Sequence, residues 1–523
     1  MDLTGGRLQY MLERLNTSST VNVETFGAVG DGITDDTLAI QAALDLAHTS
    51  GGGLVQFTPG KTYAVSTFLV VYDYTTVYAY GATIKAIGNT GLLRNFLGTD
   101  VFSLYGGHSN IQVLGGRWDG NAFNGTTGSV TAETDVMNFV HASNITVRDA
   151  TIENTSSAHA LEFNAVDGGR ALNCRFLGYQ DNTSDSSRQY SEAVQIDISA
   201  SGSSSIGAFD NTPSKNILVD GCYFGVSARC GKFGRGVGSH TLASGQYYYG
   251  IQVVNNRIEG TLQEGIRGYG WRRAVIANNV ISATGMSGIW LGVPNPSGGY
   301  VATTADITIQ GNTITGPVTD SGIRVIGYAT ALCTQITING NSVNGSGTGS
   351  ANGIHVEYCT SPVVSGNNLA SLATNGVYNN NSDSGTITGN TIRSTGSNGI
   401  NVSGSTGTIV SSNHVNGTTT NHGIFVGNTS NDFLVTGNRV TNAAAACIRL
   451  SGTATDGTVN GNRIVKGSSA NGITSDSSAT ACLVANNDLS GNGWTTAVAI
   501  SMGAVTTFSF GGGTTSPGFN RVS

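Results

Sequence analysis

From residue 250 onward the polar and apolar positions repeat as one phrase: a short apolar strand, a small polar residue, Asn, any residue, then a branched apolar residue. It reads NNRI at 255, NNVI at 278, GNTI at 311, GNSV at 340 and GNNL at 366, then GNTI at 389, SNHV at 412, GNRV at 437, GNRI at 461 and NNDL at 486. Its asparagines, from Asn256 to Asn487, are spaced 23 to 33 residues apart. A second phrase, Gly-Ile-x-Val and its variants, runs between the copies, from GIRGY at 265 to GITSD at 472. A fixed period with a few insertions predicts a solenoid. Two or three short strands per coil predict an all-β, right-handed parallel β-helix of about a dozen coils, each strand ~4.8 Å from its copies above and below. The recurrent Asn belongs to the turns. There it tolerates left-handed backbone, and its stacked amides can hydrogen-bond along the axis, a structural role.

The preceding region follows the same plan with longer excursions. VLGGRWDG at 113, VRDATIEN at 147, ALNCRFLG at 171 and LVDGCYFG at 218 read as earlier coils, with long loops at 180–191 and 199–214. Loops inserted on one side of a solenoid frame a binding face. Residues 21–66 differ in kind: strand, glycine turn, amphipathic helix, Gly-rich turn, strand. Thr34 or Asp35 caps that helix, and Ile40, Ala43, Leu44 and Ala47 form its apolar stripe. A helix here covers the open end of the first coil. The expected order is a lead-in at 1–20, a cap with its helix at 21–66, the β-helix at 67–495 and a C-terminal cap or trimer-contact segment at 496–523.

Composition narrows the function. Of 523 residues, 75 are Gly, only 7 are Pro, and 11% are charged. Such a mix suits many short strands divided by tight turns. A net charge of -7 provides no basic footprint for nucleic acid. No apolar run approaches the ~20 residues that span a bilayer, and Met1 to Leu15 lacks the pattern of a signal peptide. The seven cysteines form no CxxC pair, and Cys174 and Cys222 fall at equivalent points of two coils, as buried free thiols would. Asp31, Asp35 and Asp36 are explained by a turn and a helix cap. No cluster has the spacing of a metal site, so neither metal nor cofactor is expected.

FGAVGDGITDDTLAIQAAL, at 26–44, resembles the opening motif of the pectate-lyase-like β-helix superfamily, which includes phage tailspike depolymerases, polygalacturonase-type hydrolases and alginate epimerases. HALEFNAVDGGRALNCRFLGY at 159, SEAVQIDIS at 191 and GRGVGSH at 234 are similar to blocks in a subset of phage tailspikes and bacterial surface β-helix proteins. GGRLQYMLERLN at 5–16 is similar to a tailspike neck. The resemblance implies a homotrimer joined to a phage tail or baseplate through its N-terminus, virion-borne or extracellular. Its partner is then a bacterial surface polysaccharide.

Strand alternation places candidate side chains on the outside. One outward column holds Glu162, Gln195, Gly238 and Arg267, then Trp290, Arg324, His355, Tyr378, Asn401, Phe425 and Arg449. A neighbouring column holds Asn164, Asp197, His240 and Tyr269, with Glu357 further along. Aromatic faces and planar amide or guanidinium groups suit sugar rings. Gln195, Asn164, Trp290, Arg324, His355, Glu357 and Trp271 are the binding candidates, and from Tyr378 onward the column reads as a subunit contact. Glycosidic hydrolysis needs two carboxyl groups, and Glu162, Asp197 and Glu192 are the candidates. A lyase acting on a uronate needs a neutralising group, Arg267 or Gln195, and a base, His240 or Tyr269. The reading is a depolymerase of capsule, O-antigen or exopolysaccharide, hydrolytic first, with the lyase as its alternative. A non-catalytic glycan-binding adhesin is the third possibility.

Overall fold

The computed structural model describes residues 20–123, 128–293, 303–316, 319–345, 352–490, 494, 500–501, 509–510 and 520. The lead-in at 1–20 and the segment at 496–523 therefore lie almost wholly outside the described residues. The chain divides into two compact units, Met1–Leu262 and Gln263–Ser523. Each is built of coils whose strands pair in parallel with the strands one coil away, the arrangement that the repeat predicted.

In the first unit the strand Thr20–Asn22 pairs with Gly53–Gln56, which pairs in turn with Thr75–Tyr78. The helix Thr37–Thr49 buries Ile40, Ala43, Leu44 and Ala47, as its apolar stripe required. Its Gln41 amide exchanges two hydrogen bonds with the backbone of Val70, at 2.8 and 3.1 Å, and so satisfies a strand end with a side chain. Thr34 does not cap this helix. Asp36 is the N-cap residue, and its carboxylate turns back to accept the N–H groups of Val29, Gly30 and Ala64. Asp35 instead accepts the Thr37 N–H at 3.0 Å, and Asp31 closes a turn by accepting those of Ile33 and Thr34. Cys174 and Cys222 are buried and unbridged.

In the second unit the recurrent asparagines form a continuous buried ladder. Asn279 Nδ2 donates to Asn312 Oδ1 at 2.9 Å, and the same bond repeats through Asn341, Asn367, Asn390, Asn413, Asn438, Asn462 and Asn487 to Asn520. The expectation that this Asn itself is left-handed is corrected. The residue before it takes that conformation, as at Asn278 (φ 57°), Gly311 (φ 63°) and Ser412 (φ 56°). The reason is packing. The turn swings the ladder amide into the interior, where its second donor bond goes to a strand carbonyl, as from Asn312 to Ile276 O at 3.0 Å.

Candidate functional site

Four strands of the first unit carry the candidate site. Met137–Arg148, Leu161–Leu172, Glu192–Asp197 and Arg235–Gly238 pair in parallel, setting Asn138 beside Glu162, Glu162 beside Gln195, and Gln195 beside Gly238. Asn164 lies beside Asp197. Leu161, Phe163, Val194 and Ile196 fill the interior, so the alternate residues project outward. They are not solvated: Glu162 is 4% exposed and Asp197 1%. The 199–214 excursion lies over them. Asn164 Nδ2 donates to Ser203 O at 2.8 Å, Asn138 Nδ2 to Ser205 Oγ at 3.0 Å, and Ile206 packs with Phe96 and Val140.

A cavity of about 420 Å³ opens beside this patch. Asp135, His159, Glu162, Gln195, Asp197 and His240 line it, together with Arg188 and Tyr190 of one excursion and Ser203–Ser205 of the other. Both loops singled out in the sequence therefore reach the cavity wall. Asn138 and Gln195 each keep a buried amide oxygen that has no hydrogen-bond partner among the described residues.

The two carboxyls at the wall are tuned differently. Burial, and after it the negative charge of Asp135, raise Glu162 well above the ordinary carboxylate range. Asn138 and Asn164 donate to it at 2.8 and 3.0 Å. Burial pushes Asp197 up to about 6, against the pull of the nearby His240 charge and the Ile198 N–H at 2.8 Å. Glu162 and Asp197 sit diagonally across adjacent strands, so their backbones are ~7–8 Å apart.

Glu192 corrects the sequence reading. It opens its strand rather than preceding it, is fully buried, and lies beneath the cavity instead of at the wall. Arg235 Nη1 reaches its Oε1 at 2.8 Å, and His240 Nδ1 its Oε2 at 3.1 Å. Burial alone lifts such a carboxyl, yet the charges of His240 and Arg235 outweigh it and hold Glu192 well below the usual range. Burial likewise disfavours the charged His240, but Glu192 overrides it and raises the imidazole. His240 is thus engaged by Glu192 and favoured in its charged form.

The sequence reading missed Asp135, Asn138 and His159. Burial lowers His159 to about 4, so it is neutral, and its Nδ1 donates to Glu192 O at 3.0 Å. Asn138 was legible in principle, because VMNFV at 136 sits in register with ALEFN at 160. Asp135 carried no comparable signal, since it precedes its strand.

The other candidates belong to the second unit, not to the cavity of the first. There the outward column follows the expected register: Arg267 beside Trp290, Trp290 beside Arg324, Arg324 beside His355, and His355 beside Tyr378. The Arg267 guanidinium stacks over Trp290 at 4.2 Å and over Tyr269, whose hydroxyl it also contacts. Arg324 pairs with Asp320 at 2.7 Å. His355 stacks on Tyr378 at 4.7 Å, and Asn380 holds Glu357 at 2.8 Å. Trp271 is a correction. It is fully buried in the interior, filling space that Gly268 leaves open, where an added Cβ would meet the indole at 2.4 Å. No cluster of His, Cys, Asp or Glu that could hold a metal occurs among the described residues.

Comparisons with known proteins agree with this architecture. Residues 20–233 match the family described as rhamnogalacturonase A/epimerase, pectate lyase-like, and residues 294–431 and 331–492 match the right-handed β-helix region. The plasmin and fibronectin-binding protein A of Streptococcus pneumoniae is 26% identical over 281 residues, 50% of this chain but only 39% of that protein. A mannuronan C5-epimerase of Azotobacter vinelandii, AlgE4, is 36% identical over 126 residues, 21% of each chain. Among solved structures, the pneumococcal surface protein and adhesin PfbA superposes with a TM-score of 0.62 at 22% identity, covering 73% of this chain and 99% of that one. A tailspike protein of an E. coli bacteriophage, in complex with a hexasaccharide, gives 0.51 at 13% identity over 95% and 79%. Residues 20–233 thus resemble the pectate-lyase-like family, and by its coils and these matches the chain has the right-handed parallel β-helix fold.

Proposed function

We propose that the chain is a surface-exposed or virion-borne glycan-binding protein whose cavity between residues 133 and 241 holds a stretch of bacterial surface polysaccharide. One observation carries this reading: Asn138 and Gln195 present unpartnered amide oxygens beside the buried Glu162, where loops shield them from bulk water. Buried acceptors left unpaired are costly, and sugar hydroxyls would satisfy them. The adhesin relative and the tailspike described with a hexasaccharide favour recognition as the common use of this scaffold. In the second unit the column from Arg267 to His355 offers stacked rings and guanidinium groups suited to further sugar residues.

Hydrolysis is the second reading, favoured by the carboxyl pair. Glu162 is raised well above the ordinary range while Asp197 lies at about 6, and two carboxyls pushed apart in this way are what glycoside cleavage requires. A lyase fits less well. Its candidate base, His240, is engaged by the Glu192 carboxylate at 3.1 Å. Homotrimeric assembly and attachment to a phage tail belong to the same proposal, and light scattering of the full chain checks the first.

The deciding experiment incubates the protein with purified capsular, O-antigen and exopolysaccharides. Retention of a polysaccharide without new chain ends supports the binding reading. New reducing ends without ultraviolet absorbance of an unsaturated uronate establish hydrolysis, and both signals together establish a lyase. If nothing is retained or cleaved, the glycan reading is wrong.

A further inference from the structure

We propose that Arg94 forms an anion-recognising subsite beside the main cavity, one that takes a carboxylate, sulfate or phosphate substituent of the bound glycan. The geometry points there for three reasons. Arg94 is half-buried on the strand Leu93–Arg94, in register with Asn138, so it extends the outward column of Asn138, Glu162 and Gln195 by one coil. Its guanidinium lies 4.8 Å from the Phe68 ring and 4.8 Å from the Phe96 ring, which hold it in place and strip water from it. Its Nε has no hydrogen-bond partner, and the guanidinium makes no ion pair among the described residues.

The surrounding acids do not fill that gap, because each is engaged elsewhere. Glu133 pairs with Arg188 at 2.8 Å. Asp135 accepts from Asn138 Nδ2 at 2.7 Å and from the His159 N–H at 2.9 Å. Asp100 accepts the Leu97 N–H at 2.7 Å and acts on Arg94 only through its charge. A planar fork of donors without a carboxylate matches an oxyanion in two-point geometry.

Arg94 lines a cavity of about 210 Å³, room for about seven waters or one sugar ring. Its walls share Glu133, Thr134, Asp135 and Ser205 with the larger cavity, so a chain bound in one continues into the other. Phe96 packs with Val140 and with Ile206 of the covering excursion, which makes the subsite part of the folded roof. The identity of the ligand as a glycan rests on the proposed function, whereas the anion site itself does not.

The test is calorimetric titration of the full chain at constant ionic strength with sodium glucuronate, inorganic phosphate and glucose, in wild type, Arg94→Met and Arg94→Lys. Wild type is expected to bind glucuronate more tightly than glucose, and Arg94→Met to lose roughly tenfold or more of that affinity. Arg94→Lys, which keeps the charge but not the fork, should fall between them. Phosphate binding equal to that of glucuronate assigns the site to any oxyanion, and a glucuronate preference assigns it to a sugar acid. Either outcome supports the site. Equal anion binding in Arg94→Met and wild type, or none in wild type, overturns it. Should Arg94→Met not fold, Arg94→Lys alone decides, since an unchanged affinity there refutes a role for the fork. Anion binding at Arg94 without retention of any polysaccharide sinks the glycan reading and leaves the subsite standing.

Discussion

His240 Nδ1 lies 3.2 and 3.1 Å from the two carboxylate oxygens of Glu192, which Arg235 Nη1 holds from the other side at 2.8 Å. The carboxylate is fully buried, and Arg235 and His240 facing it favour its anionic form. It acts as the counter-ion that fixes the cavity floor, with His240 reaching from that floor to the wall.

Replacing Glu192 by Gln therefore removes a buried charge that faces Arg235 and is expected to destabilise the protein by about 3–5 kcal/mol. Equilibrium denaturation of the full chain measures it. A variant as stable as wild type would remove the counter-ion assignment. The pair also sets a pH window. Glu192 is depressed, so its contribution is present above its ordinary 4.5 and is lost as pH falls through its lower folded value. His240 is raised, so its contribution is complete below 6.5 and is lost as pH rises through its higher folded value.

Asp197 has the opposite sign to Glu192. Its folded value of about 6 lies above the ordinary 3.8, so the neutral form favours the fold. That contribution is full below 3.8 and disappears as pH rises through about 6. Asp197→Asn should flatten the fall in melting temperature between those two values. A slope identical to wild type shows that another group titrates there.

The upward shift of Glu162 depends in part on the charge of Asp135, which Asn138 Nδ2 links to it by bonds of 2.7 and 2.8 Å. Asp135→Asn removes a negative charge and should move the Glu162 titration, followed by carboxyl-carbon NMR, towards lower pH. If the substrate is cleaved, the alkaline limb of the pH–rate profile moves the same way. A Glu162 titration that stays in place excludes the coupling.

The ladder supplies a separate test, in the second unit. Asn390 donates to Asn413 Oδ1 and Val364 O, and accepts from both the backbone and the side chain of Asn367. Asn390→Ala leaves several buried polar atoms unpaired and should cost at least about 2 kcal/mol. The same change at the exposed Asn368, which follows the ladder residue Asn367 in the chain, should cost well under about 1 kcal/mol. Equal losses at the two sites would show that the ladder bonds contribute nothing special.

Local pattern determined the coils. The spacing of Asn279, Asn312 and Asn341 set the period, and the alternation of Leu161, Glu162, Phe163 and Asn164 set which side chains face inward. Both are properties of strands that repeat every coil, so the chain carries them without reference to distant contacts. It could not show that Glu162 and Asp197 are buried rather than solvated, because the roof of Ser203–Ile206 comes from an excursion whose path is fixed by packing on Phe96 and Val140. Nor could it separate Glu192, a counter-ion, from Glu162, a cavity carboxyl. Both are glutamates on paired strands of one sheet, and their difference lies in which charges the neighbouring coils bring to them: Arg235 and His240 to one, Asp135 to the other. Such electrostatic identity belongs to the folded arrangement, since a charge is tuned by neighbours within a few ångströms and not by neighbours in the chain.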